Sequence, residues 1–353
     1  MTKVAFFYCT GTVSTTAEFA DASGFGYATP GTGTEDFSVV PGLNGVTALW
    51  SGSPSYDPFP MLLDPNIFEP RKKIAYKASS TGFTGSWLNP ELRTMGQSIE
   101  DGMAKVIAEI TALPAGQKFC LGGFSQGAAV MSGVYLQGLK PGTTGALESY
   151  RDRFLGYTGF GNPRRANNYR GSVGGTWSGG FDIAGSSTGG HGSFPAAGAY
   201  ARLTDPEPLK WIDFAHEGDV ITAVGDSATG LGWVAGNNVF LGTATAADWL
   251  TYLATAPAIL LAVKAAGDFA NGIVPNVYDA VGKLFKCSGM GHVTYPLMPP
   301  PGNPDNGLTS YQIAIKFLTA KAMEYATAPI LLPATPTTKT TAGWSTTLVP
   351  PAA

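Results

Sequence analysis

"LGGFSQGAAV", residues 121–130, sets one serine between two glycines, with an apolar run before it and small residues after it. The chain has 47 glycines in 353 residues, so Gly123-Phe124-Ser125-Gln126-Gly127 arises cheaply and its setting must decide its meaning. "QKFCLGGFS" (117–125) reads as a strand and "QGAAVMSGVYLQGL" (126–139) as a helix of small residues. A serine on a tight strand-to-helix turn is a nucleophile elbow, and small flanking residues such as Gly123 and Gly127 keep that turn free of clashes. The helix start also directs the Gln126 amide toward developing negative charge.

Outward from this block, strands and helices alternate. "KVAFFYC" (3–9) and "KKIAYKAS" (72–79) read as strands. Residues 90–112 carry Leu92, Met95, Ile99, Met103, Val106, Ile107 and Ile110 at helical spacing. "RFLGYTGFGNP" (153–163) and "KWIDFAHEGD" (210–219) add two more strands, and 308–327 forms a final helix. Alternation of this kind predicts a mostly parallel sheet flanked by helices, with its ligand site at the carboxyl ends of the strands.

A hydroxyl nucleophile needs a base, and the chain offers three histidines. His292 stands in the glycine-rich "SGMGHVTYP", His216 in "DFAHEGD" and His191 in "STGGHGS". The chain order Ser, Asp, His of hydrolase triads favours His292. Asp219, at the end of the strand carrying "WIDFA", suits the orienting acid, with Asp213 and Glu217 as alternatives nearby. A second oxyanion donor must come from a loop beside the elbow, and "CTGT" (9–12) offers Thr12 behind the permissive Gly11. Such chemistry needs neither metal nor organic cofactor.

Bulk properties narrow the partners. Charged residues are 13% of the chain against a usual quarter or so. A net charge of -3 with no basic stripe argues against nucleic acid. The uncharged run Trp249–Val263 contains a proline and is shorter than the roughly 20 residues of a membrane span. The short N-terminal apolar run does not make a classical signal peptide. A soluble, cytoplasmically made chain is expected, with a monomer favoured. The three cysteines, Cys9, Cys120 and Cys287, lack metal-binding spacing and read as buried free thiols, with a Cys9–Cys120 bridge open if their strands are neighbours.

"YCTGT", "GGFSQGA", "GFGNPRR", "AHEGD" and "GHVTYP", in this order, resemble the signature blocks of the cutinase-like serine esterases, an α/β-hydrolase family. Within it they look most like the phage lysin B enzymes, which are mycolylarabinogalactan esterases. The resemblance spans about residues 3–325. It implies a Ser125–Asp219–His292 triad, an oxyanion hole of the Thr12 and Gln126 amides, and a lipid ester substrate in a mycobacterial-type cell envelope, cleaved during host lysis. His216 then lies beside the acid and is not the base. Two departures from secreted cutinases favour the lysin B likeness. "GDVIT" (218–222) has threonine where those enzymes place a cysteine. A long segment also separates acid from base.

The expected organisation is a hydrolase core over 1–225 and 286–328, interrupted by a helical insertion at 226–285 over the site. A Pro- and Thr-rich tail follows at 329–353. Two rival readings are a general cutinase or lipase, and a non-catalytic virion structural protein that keeps the fold.

Overall fold

The computed structural model describes residues 3–11, 59–74, 76, 94–166, 190–207, 209–215, 219, 221–222, 224, 228–248, 250–251, 253–254, 295 and 308–327. Five strands form one sheet: β1 (Val4–Cys9), β2 (Phe68–Lys73), β3 (Phe119–Phe124), β4 (Phe154–Phe160) and β5 (Trp211–Phe214). Their order is β2-β1-β3-β4-β5, and every neighbouring pair is parallel. The central parallel α/β sheet expected from the alternation is therefore present. In this order the chain leaves β1 toward one edge and later returns to build toward the other. The switch point lies between the ends of β1 and β3, where such sheets bind ligands.

Central strands covered on both faces are apolar almost throughout. All six residues of β1 are buried. Its alternate side chains feed two cores. Ala5, Phe7 and Cys9 meet helices α2 (Met95–Thr111) and α3 (Gln126–Val134) through Ile99, Val106, Val130 and Val134. Val4, Phe6 and Tyr8 meet the short α1 (Phe59–Leu62) and α5 (Ser310–Thr327) through Phe59, Ile313 and Phe317. Helix α2 starts on a capping box: Thr94 Oγ1 accepts from the Gln97 amide at 3.1 Å, and Gln97 Oε1 accepts from the Thr94 amide at 2.9 Å. Helix α3 is buried along its whole length, and a π turn, Tyr135–Leu139, continues it.

Helix α4 (Ala228–Leu241) carries Leu241 into the core of α2 and α3. A helical stretch within 246–254 follows, capped by the reciprocal Thr245–Asp248 pair. Residues 255–285 of the expected insertion and the expected tail lie outside the described residues.

One sequence expectation changes, and one point left open is closed. The second strand runs at 68–73, earlier than the 72–79 expected. Among the described residues it is an edge strand paired on one side, which tolerates Pro70 and three consecutive cations, so its composition hides it. The Cys9–Cys120 bridge does not form, and both thiols are free and buried. Cys120 is level with Phe6 rather than Cys9, and the two cysteines face opposite cores. Burial pushes both thiols above their ordinary range, so neither is a nucleophile.

Behind the strand ends lies a buried polar cluster. Asn162 Nδ2 donates to Asp213 Oδ1 at 3.1 Å and Oδ2 at 3.2 Å, and Trp211 Nε1 donates to Oδ2 at 2.7 Å. The same Asn162 amide donates to Ser132 Oγ on α3 at 3.0 Å, tying helix to sheet. Gly159 makes room for this cluster, since a Cβ there would stand 2.3 Å from Asp213 Oδ1. Desolvation raises the Asp213 carboxyl from 3.8 to about 6, against the lowering pull of Trp211, Asn162 and the Arg165 charge. Between those two values the folded chain holds more of this proton than the unfolded chain, so stability falls as pH rises through that window. Between pH 4 and pH 7 the wild-type chain should therefore lose roughly 2 kcal/mol relative to Asp213→Asn. Urea unfolding of both proteins across that range measures it, and a difference that does not move with pH contradicts a titrating carboxyl at this position.

Candidate active site

Ser125 follows β3 directly and stands at the N-terminus of α3 with φ 55° and ψ -123°. Among the described residues only Ser125 and Asp205 hold a positive φ without being glycine. That conformation costs on the order of 1–3 kcal/mol and persists only where the surroundings impose it. They do. The Ser125 amide donates to Phe160 O on β4 at 2.8 Å, and its carbonyl accepts the Ala129 amide of α3 at 3.2 Å.

Both glycines of the pattern are sterically required. A Cβ on Gly123 would stand 2.6 Å from Gly127 O and 2.7 Å from Ala128 N, in the first turn of α3. A Cβ on Gly127 would stand 2.1 Å from Cys9 O at the end of β1. The helix start is thus pressed against two strand ends at once. Gly11, just past β1, comes so close that its Cβ would stand 3.0 Å from the Ser125 Cβ. The "CTGT" loop therefore begins beside the serine, while Thr12 itself lies outside the described residues. Gln126 occupies the first helical position, where backbone N–H groups point out of the helix end. Its side chain is drawn aside, with Nε2 3.5 Å from Met95 O at the start of α2.

Asp219 stands past the end of β5 and is fully buried. Its Oδ1 accepts from the Ile221 amide at 2.8 Å, closing a local turn, and its Oδ2 accepts from the Tyr295 hydroxyl at 2.5 Å. The loop after it is strapped from outside. Buried Arg165 donates through Nε to Thr222 O at 2.6 Å, the Ser193 amide donates to Ile221 O at 2.8 Å, and His191 and Val224 exchange backbone hydrogen bonds. His191 belongs to this strap, its ring Nδ1 lying against the Arg202 guanidinium and the Gly192 carbonyl. Its place is structural.

Tyr295 links Asp219 to the turn that carries Ser125. Its ring is fully buried, 6.3 Å from the ring of Phe124, the residue before Ser125, and 6.0 Å from that of Phe160. Of the residues that the sequence singled out, Ser125, Gln126, Gly123, Gly127 and Asp219 are described, whereas His292, His216 and Glu217 lie outside the described residues. Asp213, an alternative for the acid, points into the cluster with Asn162 and Trp211. Sequence reasoning did not single out Tyr295 or Arg165. Tyr295 could have been noticed as the only hydroxyl-bearing aromatic in the "GHVTYP" block. Among the described residues no group of three or more His, Cys, Asp or Glu could hold a metal ion.

No protein-family model matches the chain, and no curated protein matches it. Solved structures similar to it include lysin B from Mycobacteriophage D29, at 17% identity and a TM-score of 0.44, over 90% of this chain and 99% of that one. They also include a cutinase-like protein from Cryptococcus sp., at 17% identity and a TM-score of 0.31, over 68% of this chain and 91% of that one. A third is an acetylxylan esterase, at 17% identity and a TM-score of 0.33, over 68% and 95%.

The packing of the elbow makes its own prediction. Gly127→Ala forces a methyl into the Cys9 carbonyl and should cost about 1–3 kcal/mol of stability, as overpacking typically does. It should also lower turnover, because the helix start must back away from the β1 loop. Chemical unfolding together with ester turnover checks this, and a variant as stable and as active as wild type would show that the turn tolerates a side chain.

Proposed function

We propose that the chain is a serine esterase that cleaves the ester between mycolic acids and arabinogalactan in the envelope of mycolate-bearing bacteria. The observation that carries the esterase reading is Ser125, held at positive φ between β3 and α3 with the β1 loop against it. A serine held on such a strand-to-helix turn suits a nucleophile, with the Gln126 amide of the helix start available to an oxyanion. The choice of ester rests on the resemblance of the blocks "YCTGT", "GGFSQGA", "AHEGD" and "GHVTYP" to lysin B enzymes.

His292 takes the Ser125 proton while Oγ attacks the ester carbonyl, and the amides of Thr12 and Gln126 hold the oxyanion. The imidazolium, oriented by Asp219, then protonates the departing sugar oxygen and leaves an acyl-enzyme. Water, deprotonated by His292, releases the fatty acid and restores the serine. The placement of His292 in this scheme is supported by Tyr295. It follows His292 by three positions, a separation the chain spans in at most about 11 Å, and its hydroxyl lies on Asp219. No described helix is long and apolar enough to cross a membrane.

Purified mycolyl-arabinogalactan should release free mycolic acid with the wild-type chain and none with Ser125→Ala. On a p-nitrophenyl ester, Ser125→Ala and His292→Ala should each lose roughly three or more orders of magnitude in kcat, since the two groups act as a unit. His216→Ala should lose clearly less. Near wild-type turnover in Ser125→Ala would sink the mechanism, and a larger loss at His216 would transfer the base to that residue. Release of short esters with no mycolic acid would make the enzyme a general esterase.

An acyl chain of mycolate length needs apolar surface outside the triad. Leu250 and Leu253, one helical turn apart on the stretch after α4, are 70% and 60% exposed. Each Å² of such surface that the acyl chain covers contributes about 25 cal/mol. Leu253→Asp should therefore impair palmitate esters several-fold more than butyrate esters. Parallel kcat/KM measurements on the two decide it, and equal losses would leave this stretch as scaffold.

A further inference from the structure

We infer that Tyr295 is a positioning residue for the acid of the triad: its hydroxyl locks the Asp219 carboxylate and couples the acid loop to the segment that carries the base. The inference rests on the Ser125–His292–Asp219 reading. Asp219 is fully buried, and a buried carboxylate is tolerable only where donors satisfy it. One donor, the Ile221 amide, belongs to the same loop and would move with it. The Tyr295 hydroxyl comes from a distant part of the chain and meets the other oxygen. An ionised carboxylate only accepts, so the phenol is the donor. Two donors on different oxygens fix the plane of the carboxylate. With about four acceptor sites on such a group, the clamp is compatible with a further donor from the imidazole.

The clamp is itself held. The Tyr295 ring packs edge-on to Phe124 at the end of β3 and against Phe160 at the end of β4. Phe160 O accepts the Ser125 amide, so the same strand end fixes the nucleophile and supports the clamp. Tyr295 thus refers the acid to the serine's own frame. His292 lies three positions before Tyr295 in the sequence, so base and clamp belong to one short segment.

Tyr295→Phe tests this, because it keeps the ring and its packing and removes one oxygen. On p-nitrophenyl butyrate, kcat should fall about tenfold or more, in line with a hydrogen bond to a charged group. KM should stay within about twofold and the melting temperature within a few degrees. Labelling of Ser125 by a fluorophosphonate should slow by the same factor, reading activation of the nucleophile apart from ester binding. The acid limb of the kcat/KM profile should move to higher pH, because a carboxylate stripped of a donor holds the imidazolium proton more tightly. In an Asp219→Asn background the Tyr295→Phe loss should largely disappear. Wild-type kcat and an unmoved acid limb overturn the inference, as does an equal loss in the Asp219→Asn background, which marks a packing role only. Ser125→Ala, measured alongside, separates the failures. Turnover surviving it sinks the triad and the clamp together, whereas a dead Ser125→Ala beside an unimpaired Tyr295→Phe sinks the clamp alone.

Discussion

The collision of the α3 start with the ends of β1 and β3 is the constraint on which the rest of the site depends. Only glycine at 123 and 127 lets the helix begin this close to the strands. The approach forces Ser125 into a left-handed conformation that its side chain disfavours. Stability lost there is recovered by the burial of all of α3 between the sheet and α2, where side chains as small as Ala128, Ala129 and Gly133 permit close layers. A Cβ at Gly133 would stand 2.4 Å from the Met103 sulfur, so the same demand for small residues extends along the helix. The strain at the serine is thus imposed by the packing of the whole layer, and local sequence alone does not generate it.

This explains which parts were legible in the sequence. The elbow was readable because its steric rule leaves glycines at fixed offsets around a serine, and the flanking strand and helix have different periods. Helix α2 was readable from its apolar spacing, and its start at Met95 is set by the Thr94 cap. Asp219 was singled out by chain order and by its position after an apolar strand, and the structure shows it buried past β5. The edge strand β2 was misplaced because pairing on one side lets "FEPRKK" be a strand without looking like one. Asp213 and Asn162 gave no sign of their partnership, since a hydrogen bond across 51 positions leaves no pattern in either neighbourhood. Tyr295 was hidden for the same reason: its partner stands 76 positions away.

The acid loop shows how such distant contacts can replace a covalent tie. Here the Thr222 carbonyl accepts from the guanidinium of Arg165, a fully buried residue that follows β4. Backbone bonds from Ser193 and His191 hold the next residues of the same loop. A hydrogen bond from a charged donor contributes about 1.5–3 kcal/mol, less than a disulfide's typical 2–4, but it needs no oxidant. That suits a chain whose described cysteines are buried as free thiols. It also changes what holds the site together. A disulfide would fix the loop to one point, whereas the strap fixes it to the β4 end through Arg165, to the segment at 191–194, and through Tyr295 to the elbow itself. Asp219 is therefore referred to the same strand ends that strain Ser125, and the relative geometry of the two residues becomes one property of the sheet edge.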